Sequence, residues 1–159
     1  MDALSPSASR VAEELLRLGV LSTVIEMPDS TRSAADAAAA LGCDVSEIVK
    51  SLIFRSVLRD DPVLVLASGA DRVDETRLAE IVGPVERATG RFVRDRTGFA
   101  IGGVPPVAHS RPLDTYLDEH LLRHDLVWAA AGTPRAVFSV DPRELVRVTS
   151  AKVVAVAAE

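Results

Sequence analysis

Two short apolar runs, Ile48–Val57 and Val63–Ala67, stand on either side of the turn Arg59-Asp60-Asp61-Pro62. Short runs of this kind, bounded by Asp and Pro, read as strands, and the brief connection between them makes a hairpin. The hairpin constrains the chain more than any other feature, because an isolated ribbon is marginal in water and needs other elements to cover it.

The covering elements can be read in order. Ser7–Leu18 places Val11, Leu15 and Leu18 on one face and stops at Gly19, which is an amphipathic helix. A short strand follows at Ser22–Glu26. Ser30, Thr31 or Ser33 then caps an alanine-rich helix that ends at Gly42. Asp71–Val82 reads as a helix closed by Gly83 and Pro84. Leu126–Ala131 and Ala136–Val140 read as strands interrupted by Gly132-Thr133-Pro134, with Asp141 and Pro142 opening a short helix and Lys152–Ala157 closing the chain as a strand. Gly98–His109, GFAIGGVPPVAH, is too rich in Gly and Pro for regular structure and must be loop. The expectation is one mixed α/β domain over residues 1–159, too irregularly interleaved for a doubly wound sheet.

A chain of 159 residues can build a core without a metal or disulfide staple. One cysteine, Cys43, cannot form an internal disulfide. No apolar run reaches the ~20 residues that span a bilayer, and Met1-Asp2-Ala3-Leu4 has neither the basic start nor the apolar run of a signal peptide, so a cytoplasmic location without membrane association is expected. A net charge of −5 disfavours coating of DNA or other duplexes but leaves room for a site that holds one end of an RNA. Lys50 and Lys152 are the only lysines among eighteen basic residues, which makes each stand out against an arginine background.

Standard catalytic signatures fail. Gly98 and Gly103 have P-loop spacing, but Val104 and Pro105 stand where Lys and Ser/Thr should be. There is no GxGxxG fingerprint and no GxSxG elbow. Cys43, in LGCDV, has no nearby histidine to make it a nucleophile and reads as a small apolar residue at a helix end. His120 and His124 have the i, i+4 spacing of zinc ligands on a helix, with His109 as a distant third. Leu121 stands where a zincin has Glu, and a solvated charged face explains the pair more simply, so no metal site is expected.

Three segments, IVKSLIFR (Ile48–Arg55), GFAIGGVPPVAH and VWAAAGTPRAVFSVDPREL (Val127–Leu145), together resemble the YbaK/EbsC family. Its members are free-standing relatives of the editing insertion domain of bacterial prolyl-tRNA synthetase. The resemblance implies a bent, barrel-like mixed β-sheet surrounded by helices. It also implies hydrolysis of the ester that joins a wrong amino acid to the 3′ end of a tRNA, with no cofactor, metal or protein nucleophile. Lys50 falls on the family's essential lysine, Gly102 and Gly103 on its glycine loop, and Gly132, Thr133 and Pro134 on a second loop near the substrate. Ser51 stands where the alanine-editing branch has Asn, and AAAGTPR replaces that branch's His-Pro element. These departures lean toward a cysteine or small-aliphatic substrate on tRNA for proline.

The residue types suit the task. A lysine ammonium is a compact three-donor charge for a phosphate or an ester oxygen, and glycine loops let backbone N–H groups approach a developing oxyanion. Lys50, Gly102, Gly103 and Gly132 are the expected catalytic set, with Ser51, Thr133 and Pro134 around the substrate; His109 is expected to cap its loop through backbone hydrogen bonds, with substrate contact as the lesser reading. The partner is an aminoacyl-tRNA 3′ end, with prolyl-tRNA synthetase or another synthetase as a candidate protein partner. The alternative is a non-catalytic module that binds a tRNA end or a synthetase through the same pocket. A third reading is hydrolysis of another activated amino-acid ester. A cysteinyl ester can be attacked by its own sulfur, so Cys43→Ser is expected to leave deacylation within about twofold of wild type, as a surface-type substitution would. A folded but inactive Cys43→Ser protein would point to covalent catalysis.

Overall fold

The computed structural model describes residues 4–28 and 33–159. Strand β1 (Ile25–Glu26) lies between helices α1 (Pro6–Arg17) and α2 (Ala34–Leu41). The hairpin follows as β2 (Val49–Ser56) and β3 (Pro62–Ser68), then α3 (Glu75–Val82), β4 (Val85–Arg87) and α4 (Gly90–Thr97). The last third contains β5 (Asp114–Asp118), β6 (Val127–Ala130), β7 (Ala136–Val140), α5 (Pro142–Thr149) and β8 (Lys152–Val154). Among the described residues no helix is long and apolar enough to cross a membrane.

The strands form two sheets, a five-stranded one in the order β4-β2-β3-β5-β8 and a three-stranded one in the order β1-β7-β6. They are joined by a single parallel bridge between Ile48 and Trp128. The architecture is the expected mixed α/β arrangement, and its barrel-like character is that of two linked sheets rather than a closed barrel. β3 is central: it pairs antiparallel with β2 from Val49↔Ser68 to Arg55↔Pro62, and parallel with β5 from Val63↔Asp114 to Leu66↔Leu117.

β3 is also covered on both faces, and Val63–Ser68 is no more than 2% exposed. Alternation sends Leu64 and Leu66 into the larger core with Leu15, Leu117 and Phe138, and Val63, Val65 and Ala67 into a smaller one with Phe54, Leu78 and Val156. This accounts for the continuous apolar run in the sequence, since a strand buried on both sides loses the polar alternation of a half-exposed one. In β2, likewise, Val49 and Ile53 face the larger core while Leu52 and Phe54 face the smaller.

Helix starts follow their caps. Ser33 accepts the Asp36 N–H and opens α2; Ser30 and Thr31 lie outside the described residues. The helix expected from Asp71 begins later, at Glu75, because the Asp74 carboxylate accepts the N–H groups of Thr76 and Arg77 and so caps the helix there. Residues 69–74 become a loop. The closing strand is shorter than expected, ending at Val154. Helix α4 and strands β4 and β5 were not expected. The sequence of α4, GRFVRDRT, is half charged and buries only Val93 and Thr97, which leaves a weak apolar stripe.

Gly69, just beyond β3, has no room for a side chain. A Cβ there would lie 2.6 Å from the Val45 carbonyl oxygen and 2.7 Å from the Ala34 Cβ. Gly69→Ala is expected to destabilise the protein by about 1–3 kcal/mol through overpacking, read as a lower urea midpoint. An unchanged midpoint would show that α2 and the 3-10 turn Val45–Glu47 yield freely.

Candidate active site

The two sheets leave a gap along one edge of β2. Peptide groups of successive residues in a strand point to alternate edges. The Ile48 carbonyl accepts from Gly69 N–H on the β3 side, and the Ile53 carbonyl accepts from Ala88 N–H on the other side. Ser51 therefore turns its N–H and C=O away from β3. On that edge β6 reaches β2 only at Ile48, and β4 pairs only with Phe54–Ser56. Between them no strand among the described residues pairs with Ser51 on this edge, and a cleft of about 560 Å³ opens there, lined by Val49–Leu52, Gly102, Val104, Thr133, Pro134 and small residues of α2, β6 and β7.

Lys50 stands at this cleft, opposite Ala67 in the hairpin. Its direction, open in the sequence, is settled by a short hydrogen bond: Nζ donates to the main-chain carbonyl of Asp71. One of three ammonium donors is used, leaving two for a ligand. Burial pushes the Lys50 pKa below the ordinary lysine range. The Asp71 carboxylate opposes that shift, while the Arg87 and Arg72 charges add to it. The Ser51 hydroxyl is buried and has no hydrogen-bond partner. A buried unpaired hydroxyl costs free energy, so its place on the cleft wall is informative.

The two glycine-containing loops meet beside Lys50, but their glycines serve different ends. Gly102 has φ +89° and lines the cleft, 3.8 Å from the Pro134 Cγ measured from the Cβ position it lacks. Gly103 sits against the other loop, with its missing Cβ 2.8 Å from the Thr133 Cα, and its N–H donates to the Ala100 carbonyl. Gly132, at φ +102°, passes under the start of α1, where a Cβ would lie 2.8 Å from the Ser7 carbonyl oxygen. Gly103 and Gly132 thus permit close backbone packing, and Gly103's amide is already engaged. Thr133 Oγ1 accepts from the N–H groups of Arg135 and Ala136, which holds the second loop in a tight turn.

Residues 28–148 match the model of the aminoacyl-tRNA editing domain. The chain belongs to that family. A solved structure whose name proposes it as a trans-editing enzyme for prolyl-tRNA synthetase superposes with a TM-score of 0.93 at 48% identity, covering 99% of this chain and 100% of that one. YwhH of Bacillus subtilis, an uncharacterised protein, is 31% identical over 131 residues, which is 82% of this chain and 83% of YwhH. The proline–tRNA ligase of Limosilactobacillus fermentum is 31% identical over 91 residues, covering 54% of this chain and 16% of that enzyme. The family relation places the chain among editing domains, whose substrate is an aminoacyl-tRNA, and relates it to prolyl-tRNA synthetase.

Other residues of interest in this editing domain lie away from the cleft. His109 lines a separate, more polar cleft with Arg10, Glu14 and Arg17. Its Nε2 donates to the Pro105 carbonyl at 2.6 Å, and its ring meets Phe99 edge-on. Cys43 packs against the α2 cluster, and burial followed by the nearby Glu47 and Asp44 charges pushes its pKa up, the reverse of a reactive thiolate. His120 lies in a 3-10 turn (Glu119–Arg123) and His124 just after it, so i and i+4 do not share a face as they would on an α-helix.

Among the described residues one group has ligand spacing, Asp71, Asp118 and His120. Asp118 already accepts three backbone N–H groups, and we read the group as a hydrogen-bond relay. Asp71 and Gly69 escaped the sequence reading because both sat in what looked like a strand end and a helix start. The Gly within LASGAD was the available signal.

Burial keeps His109 neutral by lowering its pKa from 6.5. Below about pH 6.5 the unfolded chain takes up a proton that the folded one refuses, so stability falls as pH drops through that value and continues to fall toward the lower, folded-state pKa. His109→Gln is expected to flatten this part of the stability profile, measured by urea unfolding at pH 7 and pH 5. An equal loss in both proteins would remove His109 as the cause.

Proposed function

We propose that the protein is a stand-alone deacylase that hydrolyses the ester of mischarged tRNA, with cysteinyl or another small aminoacyl group on tRNA for proline as its substrate. The observation that carries this reading is Lys50, which lines the cleft and has one ammonium donor engaged by the Asp71 carbonyl and two left over. The ammonium anchors the terminal adenosine through its phosphate or the ester oxygen. In hydrolysis, water adds to the ester carbonyl carbon. The bond from that carbon to the ribose oxygen breaks and the ribose oxygen takes a proton, releasing the amino acid and intact tRNA. The Ser51 N–H on the unpaired edge of β2 and the ammonium are the donors best placed for the transient oxyanion, in place of Gly103, whose amide is engaged.

The cleft supports a small side chain. Ala34, Ala35, Ala37, Ala129, Ala130 and Ala136 line it beside Trp128, Ile101 and Val137, so much of its wall is methyl groups and other apolar side chains. An aminoacyl ester is already activated, and positioning supplies most of what its hydrolysis requires. For a cysteinyl ester the substrate's own sulfur adds to the carbonyl instead, giving a thiolactone and free tRNA.

The test is deacylation of Cys-, Ala-, Ser- and 2-aminobutyryl-tRNA for proline by purified protein, with the spontaneous rate subtracted. At least one ester should disappear rapidly, and Lys50→Ala should slow its loss by about 10²-fold or more while the circular dichroism spectrum stays unchanged. Full activity in Lys50→Ala would remove the lysine from the mechanism. Survival of every ester with the tRNA bound would make the protein a binding module.

A further inference from the structure

The loop between β3 and α3 carries the acceptor for Lys50 and is itself tied down. Asp74 N–H donates to the Val156 carbonyl at 2.7 Å, Ala158 N–H donates to the Arg72 carbonyl at 2.7 Å, and Val73 bridges Ala157. Asp71 N–H itself donates to the Ser68 carbonyl at 3.0 Å, and a further tether is made by side chains. His120 Nδ1 lies 2.8 Å from Asp71 Oδ2 and 3.7 Å from Asp118 Oδ2. Two carboxylates flank one ring nitrogen, so that nitrogen carries the proton and donates to Asp71. Asp118 is fully buried and fixed from behind: its Oδ1 accepts Val156 N–H at 2.9 Å and Ala157 N–H at 3.1 Å, and its Oδ2 accepts His120 N–H at 3.0 Å. Buried Asp118 thus holds the His120 main chain, the His120 ring meets the Asp71 carboxylate, and the Asp71 main-chain carbonyl accepts from the Lys50 ammonium.

We propose that Asp71 and His120 are positioning residues for Lys50: the His120 imidazole, on a residue whose main-chain N–H is held by Asp118, holds Asp71 so that its carbonyl fixes the ammonium and its carboxylate supplies the balancing charge. This rests on the reading of Lys50 as the group that anchors the substrate. The charged groups facing Lys50 are Asp71 and Arg72 from the loop and Arg87 from β4, and those facing Asp71 are His120 and, behind it, Asp118. Of those facing Lys50, the Asp71 carboxylate alone opposes the loss of its proton on burial. Lys50 is half-buried on a strand, so without the tether its long stem has rotamers that carry Nζ away from Asp71.

Asp71→Asn keeps the main-chain carbonyl and a side-chain acceptor for His120 but removes the charge. With only Lys50 and Lys152 in the chain, lysine-labelled protein gives two side-chain NMR signals to follow with pH. The Lys50 signal should titrate at lower pH in Asp71→Asn than in wild type, while Lys152 stays put. The alkaline limb of deacylation should move to lower pH in parallel. His120→Ala should lower kcat about tenfold with KM little changed, the cost of a misplaced group, and His120→Gln, which keeps an N–H for Asp71, should recover most of it. Identical Lys50 titration in wild type and Asp71→Asn, or an unchanged kcat in His120→Ala, would overturn the proposal. If wild type shows no Lys50-dependent deacylation at all, the functional reading fails instead, and the NMR titration still decides whether Asp71 governs the lysine.

Discussion

Everything in this molecule is arranged around strand β3, which is paired along both edges and covered on both faces. Its two neighbours run in opposite senses. β2 is antiparallel, so the start of β2 lies beside the end of β3, and β5 is parallel, so the end of β5 lies there too. The mixed pairing gathers Lys50 from the beginning of one strand, Asp118 from the end of another and Asp71 from the loop that leaves β3. Residues 21 and 49 positions apart in the chain become hydrogen-bond partners for that reason alone. An all-antiparallel sheet would have placed Asp118 at the opposite end of β3.

The cleft has a related origin. A complete sheet would pair every residue of β2 on both edges and leave nothing for a ligand. Here β4 covers one end of the free edge and the bridge from Trp128 covers the other, so Ser51 falls between two sheets that do not merge. Backbone groups at such a gap lack a strand partner, which a complete sheet would have supplied. The close contact of Gly103 with Thr133 draws the two loops over this gap, and the row of alanines from α2, β6 and β7 keeps its walls thin.

Much of this was legible beforehand, in identifiable ways. The hairpin was visible because its apolar runs are continuous and its turn carries Asp and Pro. Lys50 stood out as one of two lysines in an arginine-rich chain. Of the elements that were missed, β5 takes its place by pairing with β3 and β8, distant in the chain, while α4 has local caps but a weak apolar stripe. The helix start at Glu75 instead of Asp71 shows how a side-chain cap overrides a periodicity estimate, and it matters here because the displaced residues form the loop that holds Lys50. His109 braces the Pro105 carbonyl, the backbone hydrogen bond expected of a histidine that caps its loop, and it lines a different cleft from Lys50.

What the sequence determined by itself was local. Continuous apolar runs, capping Ser and Asp side chains, and breaks at Gly and Pro specify which segments are strands, helices and loops, because these preferences act within a few residues of each other. The segments around Lys50, Gly102 and Gly132 were enough to place the chain beside its relatives. Only the tertiary structure decided where the lysine points, which amides are spent within turns, which glycines serve packing, and that Asp71 and His120 stand behind Lys50. Those outcomes depend on strand register and on the parallel sense of β5, and both are settled by burial over the whole core rather than by any short stretch of residues.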